Sequence, residues 1–223
     1  MEPVRLEMEN ICKEYRQGDA VIHALQNVNL VIEPGEFLSI TGQSGSGKST
    51  LMNILGCLDV PTSGVYRIGS QDVSAMSAAE LTRFRGKTLG FIFQSFCLIP
   101  ELDAVENVEL PLRYQGIPRK QRQQMACTAL EKVGLSSRLH HRPSQMSGGQ
   151  QQRVAVARAI AASPPVILAD EPTGNLDRAS GEGVMEILQS LNREGKTVVL
   201  ITHDDKIAKT APRRLDIRDG IVN

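Results

Sequence analysis

Residues 42–50, a stretch rich in glycine and serine, constrain the fold of this chain more than any other segment. They read Gly-Gln-Ser-Gly-Ser-Gly-Lys-Ser-Thr, which matches the phosphate-binding pattern G-x-x-x-x-G-K-[ST]. Residues 37–40 before this loop, Phe-Leu-Ser-Ile, predict a short β-strand. After the loop, Leu51, Leu55 and Leu58 recur at helical spacing. A strand that leads through such a loop into a helix predicts an α/β fold.

The chemistry of this loop predicts that it binds a nucleoside triphosphate. Glycines let successive backbone N–H groups turn towards an anion, and the N-terminus of the following helix adds its positive dipole. Lys48 can reach the outer phosphates, while the hydroxyl of Ser49 can bind Mg²⁺. The pattern arises by chance in about one chain in a hundred of this length, so a loop without function is disfavoured. The residues predicted to contact the nucleotide here are Gly42, Gln43, Ser44, Gly45, Ser46, Gly47, Lys48, Ser49 and Thr50.

The composition of the chain disfavours several classes of partner and site. Lysine plus arginine and aspartate plus glutamate both number 25, which gives no net charge, and aromatic residues make up 4% of the sequence. We therefore expect no nucleic-acid partner, because neither a basic field nor many base-stacking rings are available. The four cysteines lack the C-x-x-C spacing of zinc sites, and no long apolar run or signal core occurs. These features predict a soluble chain with reduced thiols in the cytosol.

The N-terminal segment predicts antiparallel strands. Residues 4–8 alternate between apolar and polar, and residues 28–32 repeat that period. Tyr15 lies in a polar segment between these two stretches and has no obvious core to fill, so its ring is a candidate platform for adenine. The alternative is a partly exposed tyrosine that packs on its own strand.

Residues 95–162 predict a helical lobe inserted into the sheet. Before it, a helix is predicted to start at the capping box of Ser77 and to end before Gly86. Within the lobe, apolar residues recur at helical spacing in 102–112 and in 119–133. The apolar loop that precedes the first of these helices either contacts a partner surface or is buried within the domain.

A second glycine-led helix follows in this lobe. Its first residues are Ser147, Gly148, Gly149 and Gln150. By itself such a stretch is most often a flexible turn capped by Ser147. A strand is predicted for residues 166–169, and the carboxylates Asp170 and Glu171 follow it. This order favours an anion site at the helix start over a flexible turn. Adjacent side chains on a strand point to opposite sides, so one carboxylate can address Mg²⁺ while its neighbour reaches the attacking water.

Polar residues also end two other predicted strands. Gln94 follows residues 91–93, and His203 follows residues 197–202. Ligands bind at the carboxyl ends of the strands in an open α/β sheet, which makes Gln94 a candidate ligand contact and His203 a candidate phosphate contact. Alone, each would more often be a surface amide or a cap of its strand.

These motifs, in this order and spacing, resemble those of the ATPase subunits of ABC transporters. The resemblance covers nearly the whole chain. It implies a P-loop NTPase of the ABC-ATPase type that forms a single domain over residues 1–223. Residues 1–94 and 163–223 would form a RecA-like core with a mixed sheet and an antiparallel β subdomain, and residues 95–162 an inserted α-helical subdomain with the signature motif.

The resemblance also implies a role for each motif residue. Those implied in catalysis are Lys48, Gln94, Glu171 and His203. Those implied as Mg²⁺ ligands are Ser49, Gln94 and Asp170. Those implied to contact ATP outside the phosphate loop are Tyr15, Ser147, Gly148, Gly149, Gln150 and Asp177. Met146 and Gln43 stand where leucine and proline are more usual, and neither change removes a catalytic group.

Partners are implied by the same resemblance. The signature motif would close over ATP held by the phosphate loop of another protomer, in a head-to-tail homodimer. Residues 53–59, 98–100, 106–112 and 174–177 are similar to the macrolide-export, lipoprotein-release and cell-division group of ABC ATPases. That group works with an integral membrane subunit, which implies docking between Phe96 and Leu112 and a location on the cytoplasmic face of the membrane. The cargo stays open, because the ATPase need not touch it.

Three other classes of protein fit the sequence less well than an ABC transporter subunit. A soluble ABC ATPase of DNA repair or chromosome maintenance is the main alternative, but the span from Gln94 to Ser147 is too short for its coiled-coil arms. An ABC translation factor would need two cassettes in one chain. A nucleotide or small-molecule kinase would have no use for the Ser-Gly-Gly-Gln signature or for His203.

Overall fold

The computed structural model describes residues 4–18 and 20–222, which form two β-sheets and a set of helices. The strands are β1 (Leu6–Gln17), β2 (Ala20–Ile32), β3 (Phe37–Thr41), β4 (Ser63–Ile68), β5 (Gln71–Asp72), β6 (Leu89–Phe93), β7 (Val166–Asp170), β8 (Thr197–Ile201), β9 (Arg213–Arg218) and β10 (Ile221–Val222). The α-helices are α1 (Lys48–Leu55), α2 (Ala78–Thr88), α3 (Ala104–Tyr114), α4 (Arg119–Lys132), α5 (Gly148–Ile160), α6 (Arg178–Arg193) and α7 (Asp205–Ala208). Among the described residues, no helix is both long enough and apolar enough to cross a membrane.

The larger sheet aligns the strand ends that carry the candidate site. Its order is β10-β9-β3-β8-β7-β6, in which β9, β3, β8, β7 and β6 are parallel and β10 is antiparallel to β9. The mixed sheet expected from the sequence is therefore confirmed. Because parallel strands end on one edge, the phosphate loop after β3, Gln94 after β6, Asp170 at the end of β7 and His203 after β8 share that edge.

Both faces of this sheet are covered, which holds that edge in place. On β7, Ile167 and Ala169 pack into the core shared with the helical lobe, while Val166 and Leu168 pack into the core shared with the antiparallel sheet and α1. All four side chains are completely buried. A buried aliphatic side chain stabilises the fold by roughly 1.5–3 kcal/mol, so the strand ends are fixed from both sides.

The smaller sheet is antiparallel, with the order β2-β1-β4-β5. Tyr15 lies within β1, where it pairs with Ile22, and not in a segment between strands as predicted from the sequence. The pairing of β1 with β2 continues to Gln17 and Ala20. This end of the hairpin is exposed, with polar Glu14 and Arg16 on β1 and apolar Val21 and Ile22 next to each other on β2. Neither strand therefore shows here the alternation of apolar and polar residues by which a strand is recognised in a sequence.

The three helices α3, α4 and α5 lie between residues 95 and 162 and pack against one another. On α3, Val105, Val108 and Leu112 are buried, as the helical spacing predicts. This helix begins two residues later than expected, because the Asp103 side chain accepts a hydrogen bond from the backbone N–H of Glu106 and caps it there (2.8 Å). The exact subdomain boundaries stay a prediction.

Two other helix ends differ from the prediction. Helix α1 ends at Leu55, since the chain turns at Gly56, and Leu58 lies beyond the helix and is exposed. Helix α2 begins after the Ser77 capping box as predicted, but it continues through Gly86 to Thr88. A single glycine lowers helix stability by only about 1 kcal/mol and does not by itself end a helix.

Candidate nucleotide-binding site

The phosphate loop between β3 and α1 has a backbone that requires glycine. Gly42, Gly45 and Gly47 all have positive φ, at 156°, 80° and 107°. A Cβ on Gly42 would lie 2.4 Å from the carbonyl oxygen of Ile217, and one on Gly47 would lie 2.6 Å from that of Ala24. Substitution at either position would therefore meet both a steric clash and an unfavourable backbone conformation.

The groups that face this loop suit an anion. No side chain among the described residues caps the start of α1, so its first N–H groups are open to a ligand. The Nζ of Lys48 donates to the carbonyl oxygens of Gly42 (2.6 Å) and Gln43 (2.7 Å), which holds the ammonium group over the loop. The buried hydroxyl of Ser46 has no hydrogen-bond partner within the described structure. This donor set fits a phosphate.

A cavity of about 740 Å³ opens at this loop. Its lining residues come from the loop itself, from His203 and Asp205, and from the end of β9 with the turn after it. None of its lining residues lies between residues 147 and 150. The signature segment, residues 147–150, therefore does not line the cavity at the phosphate loop of its own chain.

The neighbouring carboxylates Asp170 and Glu171 differ in the backbone conformation that carries them. Asp170 is the last residue of β7, and burial, reinforced by the neighbouring Glu171, raises the pKa of its carboxyl, while Lys48 opposes that rise. Glu171 lies outside the strand, with a φ of 45°. The expectation that alternation along one strand separates the two side chains is therefore wrong, because the left-handed turn at Glu171 redirects its side chain.

The carboxylate of Glu171 is held by residues that follow β8. It accepts hydrogen bonds from the hydroxyl of Thr202 (3.1 Å) and from the backbone N–H of His203 (2.8 Å). The Nδ1 atom of His203 lies 2.6 Å from the Oε1 atom of Glu171. Since a carboxylate only accepts, Nδ1 carries a proton, and Nε2 can donate to a phosphate when the ring is protonated. Sequence reasoning did not pair Glu171 with His203, because the two residues are 32 positions apart in the chain.

Gln94 faces the segment that follows Glu171. Its Nε2 atom donates to the Oδ1 atom of Asn175 (3.3 Å), and the amide of Asn175 donates to the carbonyl oxygen of Gln94 (3.1 Å). A Cβ on Gly174 would lie 2.8 Å from the Nε2 atom of Gln94, so a larger residue there would displace the end of that side chain. Asn175, which sequence reasoning did not single out as the partner of Gln94, sets its orientation.

Tyr15 is held by two residues that sequence reasoning also missed. Its hydroxyl donates to the Oδ2 atom of Asp59 (2.9 Å), and the ammonium group of Lys13 lies 5.0 Å from its ring centroid. Lys13 in turn donates to the Oδ1 atom of Asp59 (2.7 Å). Burial, together with the Asp59 carboxylate, raises the pKa of Tyr15. One face of the ring is therefore covered, and 39% of the residue is exposed.

The signature segment forms a helix end that is capped from within. The hydroxyl of Ser147 accepts from the backbone N–H of Gln150 (3.3 Å), and the side chain of Gln150 accepts from the backbone N–H of Ser147 (3.0 Å). A Cβ on Gly149 would lie 2.4 Å from the Oγ atom of Ser180 in α6, whereas the nearest atom to one on Gly148 is 3.6 Å away. The structure thus brings the signature against the start of α6.

Asp177 caps that same start of α6. Its carboxylate accepts hydrogen bonds from the backbone N–H (3.0 Å) and the hydroxyl (2.7 Å) of Ser180, and these bonds lower its pKa. Because Ser180 also contacts Gly149, Asp177 lies beside the signature segment and apart from the cavity at the phosphate loop.

Comparison with known proteins assigns the family. A sequence model described as ABC transporter matches residues 25–174. The dimeric ATP-binding cassette MJ0796, bound to ADP and Pi, superposes with a TM-score of 0.90 at 47% identity, over 98% of this chain and 96% of that one. A second dimeric structure of MJ0796, described as a bacterial ABC transporter cassette, gives the same TM-score at 48% identity, over 98% and 96% of the two chains. This chain belongs to the ABC transporter family.

Curated relatives of this ABC ATPase fall into two length classes. The macrolide export ATP-binding/permease protein MacB of Rhodopseudomonas palustris (strain HaA2) is 52% identical over 217 residues, which are 97% of this chain and 33% of MacB. The chain thus spans about a third of the MacB relatives that it matches. The uncharacterized ABC transporter ATP-binding protein YvrO of Bacillus subtilis (strain 168) is 50% identical over 215 residues, which are 96% of this chain and 94% of YvrO.

Family membership confirms the resemblance drawn from the sequence, the ABC-ATPase fold and the assignment as the ATP-binding, ATP-hydrolysing part of an ABC transporter. It gives no support to the DNA-repair alternative. For Mg²⁺, the described residues contain no group of three or more His, Cys, Asp or Glu side chains that could hold a metal by themselves. A Mg²⁺ site of a nucleotide enzyme needs only one or two carboxylates beside the substrate phosphates, so the lack of such a group is no argument against Mg²⁺.

Proposed function

We propose that this ABC ATPase binds MgATP between two copies of itself, hydrolyses it, and transmits the closing and opening of that dimer to an integral membrane partner. One observation carries the proposal most directly. The glycine-led helix end at Ser147 does not line the cavity at the phosphate loop of its own chain, and it lies against the start of α6. This placement supports a site in which the phosphate loop and the signature segment that meet one nucleotide come from different chains.

The phosphate loop is the holding half of the proposed site. Its N–H groups, the start of α1 and Lys48 would bind the phosphates of ATP. Ser49, Gln94 and Asp170 would hold Mg²⁺, which supplies positive charge next to the transferred phosphoryl group. Tyr15 would stack on adenine through the ring face that Lys13 leaves uncovered.

Glu171 is proposed to orient and deprotonate the attacking water. Its carboxylate has one fixed direction, because Thr202 and His203 both bind it from the end of β8. His203 would steady the γ-phosphate through Nε2 while Nδ1 stays on Glu171. Positioned groups of this kind supply most of the catalysis in phosphoryl transfer.

The second half of each site is proposed to come from the partner copy. Ser147, Gly148, Gly149 and Gln150 would meet the γ-phosphate held by the other chain, and Asp177 lies beside them at the same surface. The relative MJ0796 was observed as a dimer with ADP and Pi, which supports a head-to-tail homodimer here.

An apolar groove supports docking of a membrane subunit between Phe96 and Leu112. It has a volume of about 340 Å³, and its lining includes Phe93, Cys97 and Pro111. Arg158 of α5 donates to the carbonyl oxygens of Phe96 and Cys97 and so ties this loop to the signature helix. The MacB relatives carry ATP-binding and permease functions in their name, which favours a permease partner and a location on the cytoplasmic face of the membrane.

Glu171→Gln tests the proposed site. The variant keeps the shape of the side chain but removes the base, so we expect turnover to fall by at least a hundredfold while ATP still binds. With MgATP the variant should elute from a size-exclusion column as a dimer, and without nucleotide as a monomer. Turnover near that of the unchanged chain would remove Glu171 from its role, and an ATP-bound monomer would contradict the shared site.

The docking proposal has a matched pair of variants. Ile99, 40% exposed, lies in the loop beside the groove, whereas Ile221, 48% exposed, lies on the edge strand β10. We expect Ile99→Glu to reduce co-purification with the membrane subunit and Ile221→Glu to leave it unchanged, with basal ATPase activity kept in both. Equal retention of the membrane subunit by both variants would place docking elsewhere.

A further inference from the structure

Gln152, in the second turn of α5, is completely buried and makes two hydrogen bonds outside its own helix. Its Nε2 atom donates to the carbonyl oxygens of Phe93 (3.2 Å) and Pro172 (2.7 Å). A side-chain amide has two N–H donors, so these two carbonyls use both. The opposite orientation of the amide would set its oxygen against two carbonyl oxygens, which fixes the direction of the side chain.

The two carbonyls belong to the segments that carry proposed catalytic residues. Phe93 ends β6 and directly precedes Gln94, and Pro172 directly follows Glu171. One buried amide therefore links the signature helix to the chain on either side of the proposed active site.

The link matters for Glu171 because of how that residue is held. Its carboxylate is fixed from β8, but its backbone has a positive φ of 45° and then turns, with the N–H of Gly174 bonded to its carbonyl oxygen (3.1 Å). Positive φ is unfavourable for a residue with a Cβ and persists only where neighbouring contacts impose it. Pro172 has no N–H group, so its carbonyl is the one backbone group through which it can be anchored by a hydrogen bond.

We propose that Gln152 is a positioning residue for ATP hydrolysis, which fixes Glu171 and Gln94 relative to the signature helix. This inference rests on the proposed roles of those two residues. The link through Gln152 would also couple movements of these segments. When the start of α5 meets the nucleotide of the partner, any shift of the helix moves Phe93 and Pro172 together, so the Gln94 and Glu171 segments of that chain respond as a unit.

Gln152→Leu tests the proposal, because leucine is of similar size and removes both hydrogen bonds. We expect kcat to fall by about tenfold to a hundredfold, the loss typical of a displaced catalytic group, and KM for ATP to change by less than about threefold. The matched control is Gln151→Leu. The amide of Gln151 also donates to two carbonyls, those of Pro143 (3.0 Å) and Met146 (3.1 Å), but both lie within the helical lobe.

The control separates positioning from stability. Both variants lose two hydrogen bonds, so both lower the melting temperature, but only Gln152→Leu should lower kcat per folded chain, with Gln151→Leu within about twofold of the unchanged protein. Equal kcat for the two variants would overturn the proposal. Glu171→Gln is measured beside them. If it turns over normally, the proposed function fails, whereas loss of activity in Glu171→Gln together with a normal Gln152→Leu would sink this inference alone.

Gln152→Glu provides a second readout and serves if the leucine variant does not fold. An ionised carboxylate against two carbonyl oxygens is repelled, whereas a protonated one can donate a single hydrogen bond. We therefore expect its kcat, divided by that of the unchanged chain, to rise as the pH falls from 8 towards 6. A ratio that does not change with pH would count against the hydrogen bonds as the source of the effect.

Discussion

The two glycine-led helix N-termini that we propose to bind the nucleotide are built in different ways. In the phosphate loop, Gly42, Gly45 and Gly47 have positive φ, and no side chain among the described residues caps α1. At the signature segment, residues 147–150, the helix end is regular and closed by a reciprocal pair of side-chain hydrogen bonds. The first helix end has an irregular backbone and uncapped N–H groups, whereas the second is capped by its own side chains without a ligand.

The difference shows why glycine is needed in each place. In the phosphate loop the backbone conformation requires it, whereas at Gly149 the conformation is helical and the requirement is contact, because Ser180 leaves no room for a Cβ. A helix end that meets its nucleotide on another chain must keep its shape alone. Capping by Ser147 and packing against α6 provide that, while Lys48 supports the open phosphate loop through its carbonyls.

Gly149→Ala and Gly148→Ala separate contact from conformation and should show the largest effect on folding. At Gly149 the added methyl group would overlap Ser180, so we expect a loss of roughly 1–3 kcal/mol in the free energy of unfolding. At Gly148 there is space, and the better helix propensity of alanine should leave stability unchanged or raise it by up to about 1 kcal/mol. Urea denaturation measures both.

The double variant Gly149→Ala with Ser180→Gly removes the overlapping atoms and should recover part of the loss. If Gly148→Ala and Gly149→Ala were equally stable, contact with Ser180 would not be the reason for glycine at position 149. The proposed difference between the signature glycines and those of the phosphate loop would then be wrong.

Single polar substitutions at the signature segment and at the end of β7 should change stability in opposite directions. Ser147→Ala removes a helix cap and should lower the free energy of unfolding by about 1 kcal/mol. Asp170→Asn should give a small rise in the melting temperature at neutral pH. Burial and Glu171 raise the pKa of Asp170 in the folded chain above its ordinary value of 3.8, so ionisation favours the unfolded chain.

The stability gained by Asp170→Asn depends on pH, because the pKa of Asp170 is raised in the folded chain. Below the unfolded pKa the carboxyl is neutral in both states and has no such cost, and the cost develops as the pH rises from there through the raised folded pKa. The advantage of Asp170→Asn should thus shrink as the pH falls towards 4. A melting difference that stays constant between pH 7 and pH 4 would assign it to another cause.

Features that depend on local chemistry were predictable from the sequence. The phosphate loop matches a contiguous pattern, and the signature helix starts at a serine cap with glutamine three residues later, which is a local hydrogen-bonding unit. The sheet core was predictable because β3, β7 and β8 are short apolar runs bounded by turns.

Contacts between distant parts of the chain were not predictable. Asp59 reaches Tyr15 across 44 positions, and Gln152 reaches Phe93 across 59 and Pro172 across 20. The turn at Glu171 also has no sequence signal, since glutamate carries no preference for positive φ and the surrounding structure imposes it. Sequence patterns therefore indicate candidate site residues, whereas tertiary contacts decide how those residues are held.

The central claim is that each site combines the phosphate loop of one chain with the signature segment of another. Lys48→Ala should abolish ATP binding, whereas Ser147→Arg should bind ATP normally through its own loop but fail to close the dimer, so each variant alone should lack turnover. Mixed in equal amounts, they can form dimers in which one of the two sites is intact.

The decisive measurement is the ATPase activity of that mixture against the sum of the two variants measured separately. We predict that the mixture exceeds the sum, up to about a quarter of the activity of the unchanged chain, since half of the dimers are mixed and each carries one working site. A mixture no more active than the sum, or normal turnover by Ser147→Arg alone, would contradict the shared site.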